Sequence, residues 1–330
     1  MVRTARMATC CALAAGIFTL VTGAQAQQTW KPDRAVEIII GTSPGGPQDQ
    51  MGRLLLKALQ DGRGFEVPVT VVNKPGGGGA VGLAYINTRP GDARTVMVVA
   101  PTLMSNQITG RAPFGYADFT PVAVLGVEYE AVVVRADSPL KSGRDVIERL
   151  KKDPASLSIS IGTAPGNAAH MAFAHAMKVA GVDVKKLKTI SFNSAGDGTM
   201  AVIGGHLDME SAPASNVMEM LKAGRVRLLA ISAPQRGRGE LAKVPTWKEL
   251  GVNSVNEVWR GLAGPKGMSA AQIAFWDDVL GKAAKNEEWR RELENSQIEN
   301  IYRNSAETAK FWKSEYEEIK SILTDLGLAK

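Results

Sequence analysis

From residue 36 to residue 99 the chain repeats one alternation: a short β-branched run, a turn rich in glycine and proline, then apolar residues at helical spacing. Val36-Glu37-Ile38-Ile39-Ile40 reads as a buried strand and Gly41 to Asp49 as a turn. Met51, Leu54, Leu55, Ala58 and Leu59 then recur as one face of a helix. Val69 to Val72 is a second predicted strand, Asn73 to Gly79 a loop, Ala84 and Ile86 part of a second helix, and Thr95 to Val99 a third strand. Strand, helix, strand, helix, strand is the order of a parallel sheet covered by helices, so the fold class is α/β.

The same order restarts after Asp137-Ser138-Pro139. Val146 to Leu150 is helical, Ser158 to Ile161 a strand, Gly162 to Asn167 a turn, Ala168 to Ala180 a helix and Thr189 to Phe192 a strand. Thr199 to Ile203 forms a short helix, Asp208 to Glu210 a short strand, Asn216 to Lys222 a helix closed by Gly224, and Arg227 to Ile231 a strand. From Ser269 onward the pattern is helical. Val122 to Val134 and Val258 to Leu262 are extended pieces suited to carry the chain between two lobes, which makes the first lobe discontinuous. Residues 27–127 plus 258–330 would form one lobe and residues 128–257 the other, with two hinge strands between them.

The first 26 residues carry the marks of an export signal. Arg3 and Arg6 precede an uncharged apolar stretch from Met7 to Gly23, and Ala24-Gln25-Ala26 offers a cleavage site before Gln27. Cleavage after Ala26 leaves 304 residues, more than one hydrophobic core usually organises, so two lobes are expected. Both cysteines, Cys10 and Cys11, lie inside that signal, so the mature chain has no disulfide, thiolate metal site or cysteine nucleophile. Removing Arg3 and Arg6 from 39 basic residues leaves 37 against 33 acidic ones, a net of +4. That scattered surplus excludes the clustered basic face of a nucleic-acid binder.

Three strand-to-helix turns carry the functional expectation: Gly41 to Asp49, Asn73 to Gly79, and Gly162 to Asn167. In open α/β sheets ligands bind beyond the carboxyl ends of the strands, where such turns lie. Helix N-termini there offer free N–H groups and a partial positive charge, so a carboxylate is held without an arginine. Gly41-Thr42-Ser43-Pro44-Gly45 also fits the G-x-S-x-G elbow of a secreted serine hydrolase using Ser43. That elbow, however, needs the N–H of the residue after the serine, and Pro44 has none. Gly77-x-Gly79-x-x-Gly82 matches a dinucleotide fingerprint by spacing only, since no acid follows about 20 residues on at a strand end. His170 and His175, five apart, fall on different helix faces and do not make a metal pair. No cofactor, metal or catalytic residue is expected.

Taken in order, "KPDRAVEIIIGTSPGGPQDQMGRLL", "VVNKPGGGGAVG", "DFTPVAVLG", "SISIGTAPGNAAHMA", "VIGGHLDM", "AGRVRLLAIS", "KVPTWKELGV" and "VWRGLAGPKGMSAA" resemble the substrate-binding receptors of tripartite tricarboxylate transporters, the Bug receptors. The likeness runs from about Trp30 to Leu328. It implies a type II periplasmic-binding-protein fold, a periplasmic monomer, and lobes that close on a small organic carboxylate for delivery to a membrane permease or for sensing. By position it assigns Ser43, Gly46, Gln48 and Asp49 to a first binding loop and Gly78 and Gly79 to a second. Thr163, Asn167 and His170 fall in a distal loop, Asn193, Ala195 and Gly196 before a short helix, and Asp208 after its Gly-Gly pair. The chain departs from the family at Pro47-Gln48, where a glycine and a hydroxyl are usual, and at Phe192-Asn193-Ser194, where a Tyr-Lys-Gly is frequent. Those departures put a citrate-like ligand in doubt.

Overall fold

A computed structural model describes residues 29–61, 65–192 and 195–330. The expected export signal, residues 1–26, lies outside the described residues. The strands are β1 (Val36–Ile40), β2 (Val69–Asn73), β3 (Thr95–Val99), β4 (Phe119–Glu128), β5 (Glu130–Arg135), β6 (Ser158–Ser160), β7 (Lys188–Ile190), β8 (Met209–Pro213), β9 (Val226–Ile231) and β10 (Val258–Pro265). The helices are α1 (Pro47–Asp61), α2 (Ala80–Asn87), α3 (Thr102–Ile108), α4 (Gly143–Lys152), α5 (Ala168–Val179), α6 (Ala195–Ile203), α7 (Ala214–Lys222), α8 (Ala270–Ala283), α9 (Glu287–Asn295) and α10 (Ser305–Asp325).

The strands form two five-stranded sheets, ordered β2-β1-β3-β10-β4 and β7-β6-β8-β5-β9. Alternate residues of β1 serve opposite faces, as the strand period of two requires. Ile39 packs with Met97, Leu103, Trp259 and Trp312 toward α3 and α10, whereas Ile38 and Ile40 pack with Met51, Leu55 and Trp276 toward α1 and α8. Helices thus cover both faces. Each such fully buried side chain contributes about 1.5–3 kcal/mol. In the second sheet Val132, Val134 and Ile159 pack with Phe173 and Met177 of α5, while Val133 and Ala212 face Val217 of α7.

Two sequence expectations need correction. The strands read from residues 36–99, β1 to β3, are parallel as expected, but each sheet as a whole is mixed, since β10 runs antiparallel to β3 and β4, and β5 antiparallel to β8 and β9. A strand that arrives from the other lobe enters at the shared edge and so runs against its neighbours. The extended piece from Val122 to Val134 is also two strands, β4 in the first sheet and β5 in the second, with only Tyr129 between them. Likewise Val258 begins a strand that lies between β3 and β4. The return to the first sheet falls in residues 232–257.

Glu210 sits fully buried in β8. Gly198 of α6 lets the backbone approach it, since a Cβ there would lie 2.4 Å from Oε1. Ser160 Oγ donates to its Oε1 at 3.1 Å and Thr199 Oγ1 to its Oε2 at 2.6 Å. Burial pushes its pKa up to about 7, and the two hydroxyl bonds only partly offset it. A carboxyl whose folded pKa exceeds its unfolded value of 4.5 stabilises the fold fully below 4.5 and loses that contribution as pH rises through 7. Glu210→Gln should therefore flatten the stability–pH curve between pH 4.5 and 7 relative to the parent, by up to about 3 kcal/mol. Denaturant unfolding at a series of pH values checks this; parallel curves for the two proteins would refute it.

Candidate functional site

The strand directions locate the cleft. β1, β2 and β3 run parallel, and β4 runs with them because both β3 and β4 oppose β10. Ile40, Asn73, Val99 and Glu128 therefore end at one edge of the first sheet, where Val258 begins β10. In the second sheet the ends of β6, β7, β8 and β9 share an edge with the start of β5 at Glu130. Because Glu128 and Glu130 are separated by one residue, these two edges meet at Tyr129. All three glycine-rich turns follow strands that end at this junction.

The first two loops are tied into one unit by Asp49. Pro47 opens α1, where its missing N–H is no loss. Two residues on, Asp49 is only 2% exposed. Its carboxylate accepts from Gly45 N at 2.9 Å, Arg53 Nε at 2.8 Å and Asn73 Nδ2 at 2.9 Å. Asn73 Nδ2 also reaches Thr42 O at 3.0 Å, joining the end of β2 to the first loop. Burial alone would raise the Asp49 pKa; the bonds from Arg53, Gly45 and Asn73 outweigh it and hold the group below the usual carboxylate value. Asp49 thus shapes the loop, and its acceptors are spent within the protein. Gln48 differs: its Oε1 is buried without a hydrogen-bond partner and faces a narrow cavity beside Gly78, Gly79 and Leu103.

The second loop depends on glycine. Gly76, Gly77, Gly78 and Gly79 have φ of 130°, 58°, 63° and 99°, values that side-chain-bearing residues rarely adopt. Asn106 Nδ2 donates to Gly78 O at 2.9 Å and pins the turn to α3. Gly41 and Gly79 approach closely, since a Cβ on Gly41 would lie 2.8 Å from Gly79 Cα.

In the distal loop Asn167 caps α5, its side chain accepting from His170 N at 2.9 Å. His170 Nδ1 in turn accepts from Gly166 N at 2.9 Å, which leaves the ring proton on Nε2. Burial lowers the His170 pKa to about 4, so the ring is neutral near pH 7. Thr163 is exposed at the same edge, and Ser43, Gly46 and Gly78 are open or half-open on the first lobe. Ala195 and Gly196 begin α6. Asn193 lies outside the described residues. Asp208 is a correction: its Oδ2 accepts from Ser158 N at 2.7 Å and Ser158 Oγ at 2.6 Å, at the opening of β6 rather than its end. Ser158 and Gly162 are separated by roughly 13 Å of extended chain. Asp208 therefore holds the far edge of the second sheet and has no place in the cleft.

The edge where the two sheets meet carries two acids, Glu128 and Glu130, that pattern reading missed. Arg260 of β10 and Glu128 of β4 form a buried ion pair, and Ser215 Oγ donates to the other Glu128 oxygen at 2.9 Å. Glu130, 4% exposed, opens β5 beside them, and Ser232 Oγ accepts from its backbone N at 3.1 Å. The signal was available as two acids inside the apolar run from Val122 to Val134. Among the described residues no histidine bonds to Ser43, and His175 bonds instead to Asn256 and Ser254. Among them, too, no group of three His, Cys, Asp or Glu side chains is placed to hold a metal, and no helix is long and apolar enough to cross a membrane.

Asp49→Ala would leave Asn73, Arg53 and the Gly45 N–H without their shared acceptor. We expect a loss of about 2–4 kcal/mol in denaturant unfolding, since a buried acceptor of several bonds is removed. A change below about 0.5 kcal/mol would show that the two loops hold together without it.

The chain matches the family described as "Tripartite tricarboxylate transporter family receptor" over residues 56–328. It is 29% identical over 310 residues to the "UPF0065 protein in gbd 5'region" of Cupriavidus necator, covering 93% of this chain and 92% of that one. Among solved structures it is similar to a TctC solute binding protein from Polaromonas, with a TM-score of 0.74, 26% identity and coverage of 89% and 99%. The R. palustris protein Rpa4515, solved with adipate, superposes with a TM-score of 0.78 at 21% identity, covering 90% of this chain and 99% of that one. The two-lobed α/β architecture is that of these periplasmic binding proteins, and the chain belongs to the tripartite tricarboxylate transporter receptor family, the Bug receptors.

Proposed function

We propose that the protein is a periplasmic receptor that captures a small organic carboxylate by closing its two lobes and passes it to a membrane permease, without catalysis. The observation that carries this reading is the convergence of three glycine-rich turns at the edge where the two sheets meet. Adipate in the R. palustris neighbour supports the ligand class. Export would follow cleavage after Ala26, and the receptor would act as a monomer. Lobe boundaries at residues 27–127 plus 258–330 and 128–257 place the hinge at Tyr129 and in the return segment before Val258. A hydrolase using Ser43 is disfavoured by Pro44 and by histidines whose bonds go elsewhere.

Recognition in this reading rests on backbone N–H groups of the Gly46 and Gly78–Gly79 turns and of the Thr163–His170 turn, with Ser43, Thr163 and the segment at Asn193, Ala195 and Gly196 nearby. Several charge-assisted bonds at about 1.5–3 kcal/mol each suffice for micromolar binding after association losses. Arg260, its charge already matched by Glu128, is not the main anchor.

Two outcomes are expected. Saturating the purified protein with its cognate acid, sought among C4 to C6 diacids, should reduce the radius of gyration in solution scattering and raise the unfolding free energy, by about 2.7 kcal/mol at 100 times Kd. No melting shift with any organic acid, together with unchanged scattering, would overturn the receptor reading. Because Gln48 Oε1 lacks an internal partner, Gln48→Ala and Gln48→Thr should weaken binding about five- to a hundredfold. Binding within twofold of the parent for both variants would make Gln48 a bystander.

A further inference from the structure

Resting on the two-lobed receptor reading, the C-terminal end of α10 gives that receptor a control on closure. α10 is seated on the first lobe: Trp312 and Phe311 pack on Trp259 of β10 with ring centroids 5.9 and 5.8 Å apart, and Tyr316 packs on Tyr116 at 5.0 Å. Its last turns also touch the second lobe. Ile319, Ile322 and Leu323 share a buried cluster with Met171 of α5, Leu326 packs against the core of the second sheet, and Asp325 forms an ion pair with Lys178 of α5. Gly327, with φ of 69°, then turns the chain back. Leu328 N donates to Leu323 O at 2.8 Å and Gly327 N to Thr324 O at 2.9 Å, a helix end that brings its two flanking leucines together. Both lie against the distal loop, since a Cβ on Gly166 would be 3.0 Å from Leu323 Cδ2 and 3.6 Å from Leu328 Cδ1.

The first lobe meets the same loop from the end of α3. Arg111 Nη2 donates to Pro165 O at 2.6 Å, and the Cβ placed on Gly166 would also lie 3.6 Å from Thr109 Cγ2. The tail is fixed there too, Lys330 N donating to Ile108 O at 2.9 Å. α3 is the helix whose Asn106 holds Gly78 O of the second glycine-rich loop. Loops from both lobes are thus tied to one seven-residue helix, the Gly78 turn through Asn106 and the distal loop through Arg111 and the tail. A helix seated on the first lobe cannot follow both lobes as they rotate apart, so opening has to strip these contacts from Pro165 and Gly166. We propose that the end of α10, residues 326–330 and Arg111 form a clasp that favours the closed arrangement, with Arg111 and Leu328 as positioning residues for the distal loop.

The test reads the distance between the lobes without ligand. Spin labels on Thr70→Cys and Lys188→Cys, both exposed and on the outermost strands β2 and β7, report how far the sheets stand apart. Leu328→Ser should raise the population at long distances by about threefold or more. Arg111→Ala, which removes one exposed bond, should shift it in the same direction by less, and it keeps the test valid if Leu328→Ser does not fold. With adipate or glutarate bound, Leu328→Ser should release the acid faster than the parent by about the same factor. Distances that stay unchanged or shorten in both variants, or release no faster than from the parent, would overturn the clasp. If the distances lengthen as expected while no organic acid binds even the parent, the clasp stands and the receptor reading falls.

Discussion

Sheet hydrogen bonding stops on one side of Tyr129 and resumes on the other. Up to Glu128 the chain is paired with β10, and from Glu130 it is paired with β8 and β9, so a single residue separates the two sheets, and one buried cluster runs through that junction from Val127 and Trp259 to Ala131 and Ile231. Tyr129 is itself anchored, its hydroxyl donating to Glu299 Oε2 at 3.1 Å. Burial, with the Glu299 charge beside it, keeps the phenol protonated across the ordinary pH range. With so short a link the two sheet edges cannot drift apart at this point. That constraint is what brings turns from residues 41–49, 73–79 and 162–167 to a common place although they are far apart in sequence.

The alternation of β-branched runs with helical spacing made most elements legible, because strand and helix periods are local properties. Direction within a sheet is not local. Nothing in Val258-Trp259-Arg260-Gly261-Leu262 says that it inserts antiparallel between β3 and β4, since that follows from where the chain returns after the second sheet is complete. The short helix α3 was passed over for a different reason: Thr102 to Ile108 spans under two turns, too short for a period to repeat.

Site residues were legible to the extent that backbone geometry selected them. The run Gly76 to Gly79 is readable because every member needs positive φ, a demand that only glycine meets without strain. Asp49 and Asp208 illustrate the limit. Both look like ligand groups from their setting beside glycines, yet both Asp49 oxygens and Asp208 Oδ2 accept bonds from within the protein. A carboxylate near a turn is drawn to the turn's own donors, and sequence cannot reveal whether any acceptor capacity remains for a ligand. Asn167 was placed correctly at the start of α5, but its side chain is occupied with capping.

The titrating groups around the cleft act against one another, and this bears on how a receptor outside the cytoplasm tolerates changing acidity. Burial lowers the His170 pKa to about 4 from an unfolded 6.5, so the folded chain resists a proton that the unfolded chain accepts, and stability rises with pH across that window. Glu315 of α10 has the opposite sense. Burial first, and then Glu318, push its pKa up to about 8, while Trp259 Nε1 donates to it at 3.2 Å and partly restrains the shift. Its contribution is complete below 4.5 and is lost as pH climbs through 8. Between pH 4.5 and 6.5 the two slopes oppose, one from the distal loop and one from the helix that packs against α5. A neutral imidazole and a protonated carboxyl are both uncharged, so over that window neither His170 nor Glu315 adds a charge of its own to the field that a bound ligand meets.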